Sequence, residues 1–507
     1  MDQEFSVEVG GKSYTMEDLE LGNVEDRDTY LAVLNGIERQ ENEAAAPLYK
    51  EVVRLYNEEA KAAGYVSYRE YAYEEIYSRD YSEEDVRNLE AYTKEYLAPL
   101  FDEAQYVLYD EEPEGASPFD GKSAEEILDD IEPWIEKTVP ELTEAWDYLR
   151  RNSLLECESG PGRAQGGFTI ALPEFHAGYI YIDAYGGYWD YKTVIHEFGH
   201  FNAGYHEPIP GIYRLDTMDV AEVQSQGLEV LFTPYWGQMA GNEDLGDYYA
   251  RTVLLDMVGS VVTGCMYNEC EEYAFSHLDE SIEEWNRAFG KIYGEYGFDY
   301  YTDGGIAYEW VTVGHFFEMP LYYISYATSA VAALEIYADA EEDRDAAVEK
   351  YLAVSAAGNM TFSEMLSECG LADAFDRNTV RGIAADLADA FDLDGTFLFE
   401  DEEEETEYPE EELPEEAIPE EEAEPEESAE TPGIQAPEEE GEGSASVIPG
   451  ENGGPYAPGD PSKADAAMAM TIGFIAAGIF FLVYLLIILI MVLILEHKRK
   501  NRFKDGR

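Results

Sequence analysis

Basic residues are scarce in this chain, and histidine is scarcer still. The 507 residues include 31 Lys and Arg against 110 Asp and Glu, with seven His and a formal net charge of −79. A surface this acidic repels phosphate backbones, so we expect no nucleic-acid partner. The acidic residues are spread along the whole chain, and we interpret most of them as a solvated surface.

Cysteine is also rare. The four cysteines, Cys157, Cys265, Cys270 and Cys369, are too few for a disulfide scaffold, and no two of them form a CxxC pair of the zinc-site type. A Cys265–Cys270 bridge is sterically conceivable, but free buried thiols suit this spacing at least as well. Cysteine usage therefore leaves the redox compartment open.

The two ends of the chain differ sharply. The N-terminus has neither the basic start nor the apolar stretch of a signal peptide. Residues 466–495 are apolar and uncharged, which is long enough to cross a bilayer as a helix, and residues 496–507 are strongly basic. The positive-inside tendency predicts that this tail is cytoplasmic and that everything before residue 466 lies outside the cell.

These features predict a single-pass protein of the cell membrane that contacts the lipid bilayer through one C-terminal helix. An exported domain normally needs a signal, so the N-terminus as given is then incomplete. The rival topology is a tail-anchored protein whose main domain is cytosolic.

Hydrophobic spacing divides the rest of the chain. Residues 40–155 are predicted to be helical, because apolar positions recur three and four residues apart, as at Leu48, Val52 and Leu55. Gly64 is typical of a helix end. Two short strands are expected at 166–170 and 178–182, where β-branched and aromatic residues stand between glycines.

Helical spacing returns at Tyr191 and continues to about residue 398. Residues 400–461 are rich in Glu, Pro, Gly and Ser without any Lys or Arg, which predicts a disordered, self-repelling spacer. We therefore expect a mostly α-helical domain with a small β element at 1–399, a disordered acidic stalk at 400–465, a transmembrane helix at 466–495 and a basic cytoplasmic tail at 496–507.

One short motif carries chemistry. His196 and His200 stand four positions apart in the segment HEFGH, so on a helix they project from one face and can bind one zinc ion. Glu197 lies beside them and suits a general base that takes a proton from the attacking water. In a chain this poor in histidine, the motif favours a catalytic zinc site over two unrelated surface histidines.

A catalytic zinc ion needs a third protein ligand from elsewhere in the chain. The next acidic helical stretch is residues 219–229, where Glu222 and Glu229 share a face. Asp219 is a further candidate on spacing alone. The spacing favours a glutamate on this helix without selecting one.

The motifs together resemble a known family. HEFGH followed by AEVQSQ at residues 221–226 is similar to the thimet oligopeptidase and oligoendopeptidase F family of zinc peptidases. In that family the third ligand is a glutamate on the following helix, close before a serine. The resemblance implies a zincin-type metallopeptidase domain with one Zn²⁺, bound by His196, His200 and Glu222.

Weaker matches extend the resemblance over roughly residues 45–375. The segment YAYEEIYSRDY at 71–81 is similar to a helical segment of oligoendopeptidase F, and the two strands look like its substrate-flanking strands. Trp310, His315 and residues 320–326 resemble its W…HxF…PFYYIDY region.

In the family, a histidine and tyrosines after the zinc helices bond the substrate carbonyl and its developing oxyanion. Carried over by position, this role falls on His315 and on Tyr322 or Tyr323. Tyr326 is a weaker candidate that we interpret as helix packing. The stretch before HEFGH is shorter than in the family, and the anchor and stalk are atypical of it.

Three functions remain open on the sequence. The leading hypothesis is a membrane-anchored zinc metalloendopeptidase, with its catalytic domain outside the cell, that hydrolyses short peptides. A second is a surface binding module that keeps the peptidase fold without turnover. A third is a metallocarboxypeptidase, because HExxH does not determine where in a peptide the enzyme cuts.

Overall fold

Helices dominate the part of the chain that the computed structural model describes, which is residues 5–395 except 25, 112, 114–116, 161–162, 164–165, 173–174 and 207–216. The α-helices of this part are α1 Met16–Glu20, α2 Arg27–Ala63, α3 Tyr68–Tyr71, α4 Glu83–Tyr92, α5 Ala98–Glu111, α6 Ala124–Thr138, α7 Thr143–Asn152, α8 Tyr188–His206, α9 Met218–Leu231, α10 Trp236–Met239, α11 Gly246–Ser276, α12 Ile282–Glu295, α13 Gly314–Glu318, α14 Ile324–Glu342, α15 Arg344–Ser355, α16 Phe362–Cys369 and α17 Arg377–Ala390. Single π-helical turns follow α3 and α4. The prediction of a mostly helical domain is confirmed.

The β element is small and has two parts. The strands are β1 Ser6–Val9, β2 Lys12–Thr15, β3 Leu155–Glu158, β4 Gly167–Leu172 and β5 Ala177–Asp183. Strands β1 and β2 form an antiparallel hairpin, whereas β5 lies between β3, to which it is parallel, and β4, to which it is antiparallel. The two predicted strands are confirmed as β4 and β5. The other strands have four residues each, too few for an alternating pattern to be recognised.

Helix α2 shows what the spacing predicted correctly and what it did not. The helix ends before Gly64, whose φ of +100° is left-handed, as a glycine cap allows. However, Leu48 and Leu55 are 59% and 50% exposed, and the buried positions include Tyr49 and Val53 instead. A stripe of apolar residues indicates a helix, but the neighbouring elements decide which face is covered.

The centre of the domain is a layer of packed helices. Helix α9 packs against both α8 and α14, and α14 packs in turn against α11. Strands β4 and β5 lie against α8. Nearly every residue of α9 is buried, so its acidic side chains need partners inside the protein.

A smaller apolar cluster joins two distant stretches of sequence. Tyr68 and Tyr77, from the segment around α3, pack with Leu321 and Tyr322, from the loop between α13 and α14. Residues 319–323, which we call the 319–323 loop, are therefore held from the side by a segment almost 250 positions earlier in the chain.

The predicted transmembrane helix is corrected. Within the described ranges, no helix is both long and apolar enough to cross a membrane. The long helices there bury their apolar side chains inside the domain and carry charged residues on their other faces. Residues 466–495, on which we placed that helix, lie outside the described residues. We therefore withdraw the membrane helix from the fold class, together with the bilayer contact, the cell-membrane location and the extracellular placement of the catalytic domain.

The remaining predictions about the ends of the domain stay predictions. The acidic stalk at 400–465 and the basic tail at 496–507 lie outside the described residues, as do the boundaries between them. The four cysteines are all described, and each is a buried free thiol, so the conceivable Cys265–Cys270 bridge is not formed.

Candidate metal centre

The HEFGH segment lies in the middle of α8. In the first turn of this helix the Asp190 carboxylate accepts from the backbone N–H groups of Tyr185 and Gly186, which precede the helix, each at 2.9 Å. The helix lies between the sheet and α9. His196 and His200 project from one face, with ring centroids 5.1 Å apart.

Helix α9 brings Glu222 to the two histidines. The Glu222 Oε2 atom lies 3.5 Å from His196 Nε2 and 3.7 Å from His200 Nε2. The potential ligand atoms of these three residues all lie within 4.8 Å of one another, and no other set of His, Cys, Asp and Glu in the described part of the chain converges in this way. Two imidazoles and one carboxylate are the protein ligands of one class of catalytic zinc site.

Gly199, inside the motif, allows the two helices to approach closely. A Cβ atom at this position would lie 2.6 Å from the Gln224 carbonyl oxygen and 2.7 Å from Ser225 Cα. Both are backbone atoms of α9, which have no rotamer through which to move away. The glycine therefore sets the distance between the helix that carries the histidines and the helix that carries Glu222.

The side chain of Glu222 is oriented by two hydroxyl groups. Ser225 Oγ lies 3.2 Å from Glu222 Oε2, and the Tyr322 hydroxyl lies 3.3 Å from Glu222 Oε1. Partners of this kind fix the orientation of a metal ligand. The structure thus places a tyrosine of the 319–323 loop directly beside the candidate metal ligands.

Glu229, a competing ligand on spacing alone, has a different position. Its Oε1 lies 2.6 Å from His196 Nδ1, the ring nitrogen that faces away from Glu222. Lys192 contacts Glu229 Oε2 at 3.3 Å and Asp256 at 3.0 Å. A carboxylate on the second ring nitrogen fixes the tautomer and direction of a metal-binding histidine.

The charges around His196 shift its titration in the metal-free protein. Burial lowers the pKa of His196, but the hydrogen bond and the negative charge of Glu229 outweigh burial and raise the pKa to about 9. Burial raises the pKa of Glu229, yet Lys192 and His196 together bring it below its ordinary value. Glu229 is therefore an ionised partner of His196.

Asp219, the other competing ligand, points away from the histidines. It is 1% exposed and pairs with the guanidinium of Arg79, at 3.5 Å, and with the Tyr81 hydroxyl, at 3.3 Å. These contacts connect the start of α9 to the segment that follows α3. Asp219 therefore connects the N-terminal end of the helix to its neighbours.

Glu197 is held beside the candidate ligands by the edge strand. The Thr169 hydroxyl, on β4, lies 2.6 Å from Glu197 Oε2 and 3.0 Å from the Glu197 backbone oxygen. A Cβ atom at Gly167 would lie 2.5 Å from the Thr193 side chain and 3.4 Å from Glu197 Oε1. Glycine at the start of β4 therefore leaves room for the strand to pass close to this carboxylate.

His315 lies against Tyr322, the tyrosine beside Glu222. Its ring stacks on Tyr322 with a centroid distance of 5.2 Å and an interplanar angle of 12°. Burial lowers the pKa of His315 to about 4, with Glu222 opposing this shift. The imidazole is therefore neutral near pH 7 and can donate an N–H without carrying a charge.

The three tyrosines of the family-like region differ in position. Burial raises the pKa of Tyr322 far above its ordinary value, so its hydroxyl stays protonated next to Glu222. Tyr323 packs into the core against Tyr267, with ring centroids 4.8 Å apart. Tyr326 lies in the first turn of α14, four residues after Tyr322, and its ring lies 4.9 Å from that of Tyr322.

The negative charges of Glu222 and Glu197 also act on Tyr326. Burial raises the pKa of Tyr326, and the charges of Glu222 and Glu197 add to the shift. Tyr323, which packs against Tyr267, also has its ring centroid 5.6 Å from that of His315. The structure brings Tyr322 and Tyr326 together, with the Tyr326 ring centroid 6.0 Å from that of His315. The four-residue spacing of these two tyrosines was the signal that could have identified them as a pair.

Comparison with known proteins supports the fold from structure rather than sequence. No family model and no curated protein sequence matches this chain. Solved structures do match. An oligoendopeptidase F structure shares 20% identity with a TM-score of 0.63, covering 77% of this chain and 73% of that chain. The structure of PZ peptidase A with an inhibitor shares 20% identity with a TM-score of 0.63, covering 76% of this chain and 73% of that chain. An oligoendopeptidase F from Bacillus anthracis shares 21% identity with a TM-score of 0.61, covering 77% of this chain and 72% of that chain.

These likenesses define the class of fold. The described helices and sheet have the fold of these oligoendopeptidase structures. The resemblance to oligoendopeptidase F is thus confirmed for the fold, at sequence identities near 20%.

Proposed function

We propose that this protein is a zinc metalloendopeptidase that hydrolyses short peptides. The observation that carries the proposal is the convergence of His196, His200 and Glu222, with Glu197 held beside them. The oligoendopeptidase fold supports the same chemistry. Zinc is the metal we assign, because two imidazoles and one carboxylate are the donors it prefers in hydrolytic sites.

When bound by these residues, zinc supplies a Lewis acid for carbonyl polarisation. Glu197 removes a proton from the attacking water and later gives it to the leaving nitrogen of the cleaved peptide bond. Thr169 orients its carboxylate through the 2.6 Å contact with Oε2. The position of Glu197, next in sequence to His196, places this base at the metal ligands.

Negative charge develops on the substrate carbonyl oxygen as water attacks. Tyr322 lies next to Glu222, and His315 stacks on Tyr322, so we propose that their neutral O–H and N–H groups donate to that oxygen. We add Tyr326 to this set, because its ring lies 4.9 Å from that of Tyr322 and its pKa is raised by burial and by the charges of Glu222 and Glu197. Tyr323, which packs against Tyr267, is left with a structural role.

The test is hydrolysis of internally quenched peptides by the zinc-loaded protein, with and without a chelator. Glu197→Gln should keep one zinc per chain and lose activity by roughly 10²-fold or more, as expected for removal of a general base. The matched control is Glu349→Gln, an exposed glutamate on α15, which should leave kcat unchanged. Full activity in Glu197→Gln, or in chelated protein, would refute the proposal.

The same assay separates an endopeptidase from a carboxypeptidase. A peptide blocked at both ends has no free carboxylate for an exopeptidase to recognise. Internal cleavage of this peptide, identified by mass spectrometry, is the expected result. Stepwise loss of C-terminal residues, confined to peptides with a free carboxyl end, would favour the carboxypeptidase instead. One bound zinc without cleavage of either peptide would favour the binding module.

A further inference from the structure

A buried arginine lies between α9, which carries Glu222, and the 319–323 loop, which carries Tyr322. The Arg79 side chain is 0% exposed, in the segment that follows α3 and the π-helical turn 72–76. Its guanidinium lies over the rings of Tyr77, at 4.3 Å, and Tyr73, at 4.7 Å. A fully buried cation has a large desolvation cost, which several compensating contacts must offset.

The first set of contacts reaches the 319–323 loop. Arg79 Nη1 donates to the Leu321 carbonyl oxygen at 2.9 Å, and Nη2 donates to Ser325 Oγ at 2.9 Å. These two terminal nitrogens, the fork of the guanidinium, thus bind the residue directly before Tyr322 and a residue in the first turn of α14. The planar guanidinium fixes both distances at once, which a lysine ammonium cannot reproduce.

The second contact reaches the helix that carries the metal ligand. Asp219, the carboxylate paired with Arg79 at 3.5 Å, lies one helical turn before Glu222 on α9. One side chain therefore contacts both the N-terminal start of α9 and the loop that carries Tyr322. The Tyr81 hydroxyl, 3.3 Å from Asp219, completes this connection.

The loop has a backbone conformation that needs such support. Leu321 has a φ of +65°, a left-handed conformation that is unfavourable for a leucine. Its N–H donates to Glu271 at 2.8 Å, and the carbonyl of the preceding Pro320 accepts from Tyr77 at 2.9 Å. Together with Arg79, these contacts bind three consecutive backbone groups of a strained turn.

From this geometry we infer that Arg79 is a positioning residue, which holds the 319–323 loop at a set distance from α9 so that Tyr322, on which the His315 ring stacks, faces the substrate carbonyl. This inference rests on the proposed peptidase function for its catalytic consequence. It adds a residue that touches neither metal nor substrate and acts through the backbone of Leu321.

The first test is kinetic. Arg79→Lys keeps the charge and loses the fork, so kcat on a quenched peptide should fall by at least about tenfold, less than the ~10²–10³-fold typical of deleting an oxyanion donor outright. KM and the zinc content of one ion per chain should change little. The control is Arg251→Lys, which replaces a surface arginine paired with Glu111 and Asp392; its kcat should equal that of wild type.

The second test does not depend on turnover. Amide hydrogen exchange of zinc-loaded protein should speed up at least tenfold over residues 319–323 in Arg79→Lys and stay unchanged in α6. Equal acceleration in both segments would mean that Arg79 serves global stability only, and would overturn the inference. Wild-type exchange and wild-type kcat in this variant would overturn it as well.

Milder variants cover the case in which Arg79→Lys does not fold. Tyr77→Phe removes only the hydroxyl that binds Pro320, and Ser325→Ala removes one arm of the fork. Each should lower kcat and speed exchange in the 319–323 loop, whereas Tyr68→Phe, a neighbour packed against Tyr56 and Phe275, should do neither. No effect from Tyr77→Phe and Ser325→Ala would refute the inference.

The two proposals fail separately. A wild-type protein that binds zinc but cleaves no peptide would refute the peptidase function. The exchange measurement would still decide whether Arg79 holds the loop.

Discussion

The close approach of α8 and α9 at Gly199 makes a quantitative prediction. A methyl group at this position would lie 2.6 Å from the Gln224 carbonyl oxygen. Restoring an ordinary contact of about 3.5 Å requires the helices to separate by roughly 1 Å. Gly199→Ala should therefore cost about 1–3 kcal/mol of folding stability, the usual range for overpacking a core.

The same displacement acts on the candidate metal centre. Glu222 closely precedes Gln224 and Ser225 on α9, and its Oε2 lies 3.7 Å from His200 Nε2. A shift of about 1 Å at a catalytic site commonly costs about 10²-fold in rate. We expect Gly199→Ala to bind zinc more weakly and to lose kcat/KM by about that factor at saturating zinc.

Urea denaturation of the metal-free protein measures the stability change, and chelator competition measures the zinc affinity. The matched control is Gly382→Ala on α17, where a Cβ atom meets nothing within 4 Å. There the substitution should stabilise the protein by roughly 0.5–1 kcal/mol, because glycine is a poor helix former. If Gly199→Ala gained stability like Gly382→Ala and kept its zinc affinity, the inferred role of the helix separation would be wrong.

Three further outcomes are expected around His196. Glu229→Gln should weaken zinc binding by about 10–100-fold in a chelator competition, because His196 loses its ionised partner; an unchanged affinity would contradict this role. Lys192→Met should cost about 3 kcal/mol in urea denaturation, since it leaves the buried carboxylates of Glu229 and Asp256 without their cation; a neutral result would show that water replaces it. The pKa of His196 is raised from 6.5 to about 9 without metal, so its stabilising contribution to the metal-free protein is fully present below pH 6.5 and is lost as pH rises through about 9. Zinc must displace that proton, so the apparent zinc affinity should rise with pH over this interval, and a flat profile would contradict the shift.

Several local features could be predicted because they depend on short stretches of sequence. The HEFGH spacing places two histidines on one helical face whatever surrounds them, and strands β4 and β5 were recognisable from alternating apolar residues between glycines. The stop at Gly64 follows from its freedom to adopt a left-handed conformation. Each of these needs only the residues within a few positions of it.

Other features depend on partners that are distant in sequence. On spacing alone Asp219, Glu222 and Glu229 were competing candidates, with a glutamate favoured but not selected. They differ because Arg79 pairs with the first, the histidine Nε2 atoms face the second, and His196 Nδ1 meets the third. A carboxylate on a buried helix takes its role from the group it faces, and that group is chosen by helix packing.

The apolar segment at 466–495 shows the limit of a compositional argument. Its length predicted a membrane helix, but the segment lies outside the described residues, and no helix within them is long and apolar enough to cross a membrane.

The motif alone therefore determined which groups stand near one another along the chain: two imidazoles, a carboxylate and a following acidic helix. Packing decided the rest. The glycine contact between α8 and α9 brings Glu222 to the histidines, and the turn at Leu321 brings Tyr322 to Glu222 across about a hundred residues of sequence. The physical reason is one of range, because local spacing controls the direction of a side chain and only tertiary contacts control its distance from another.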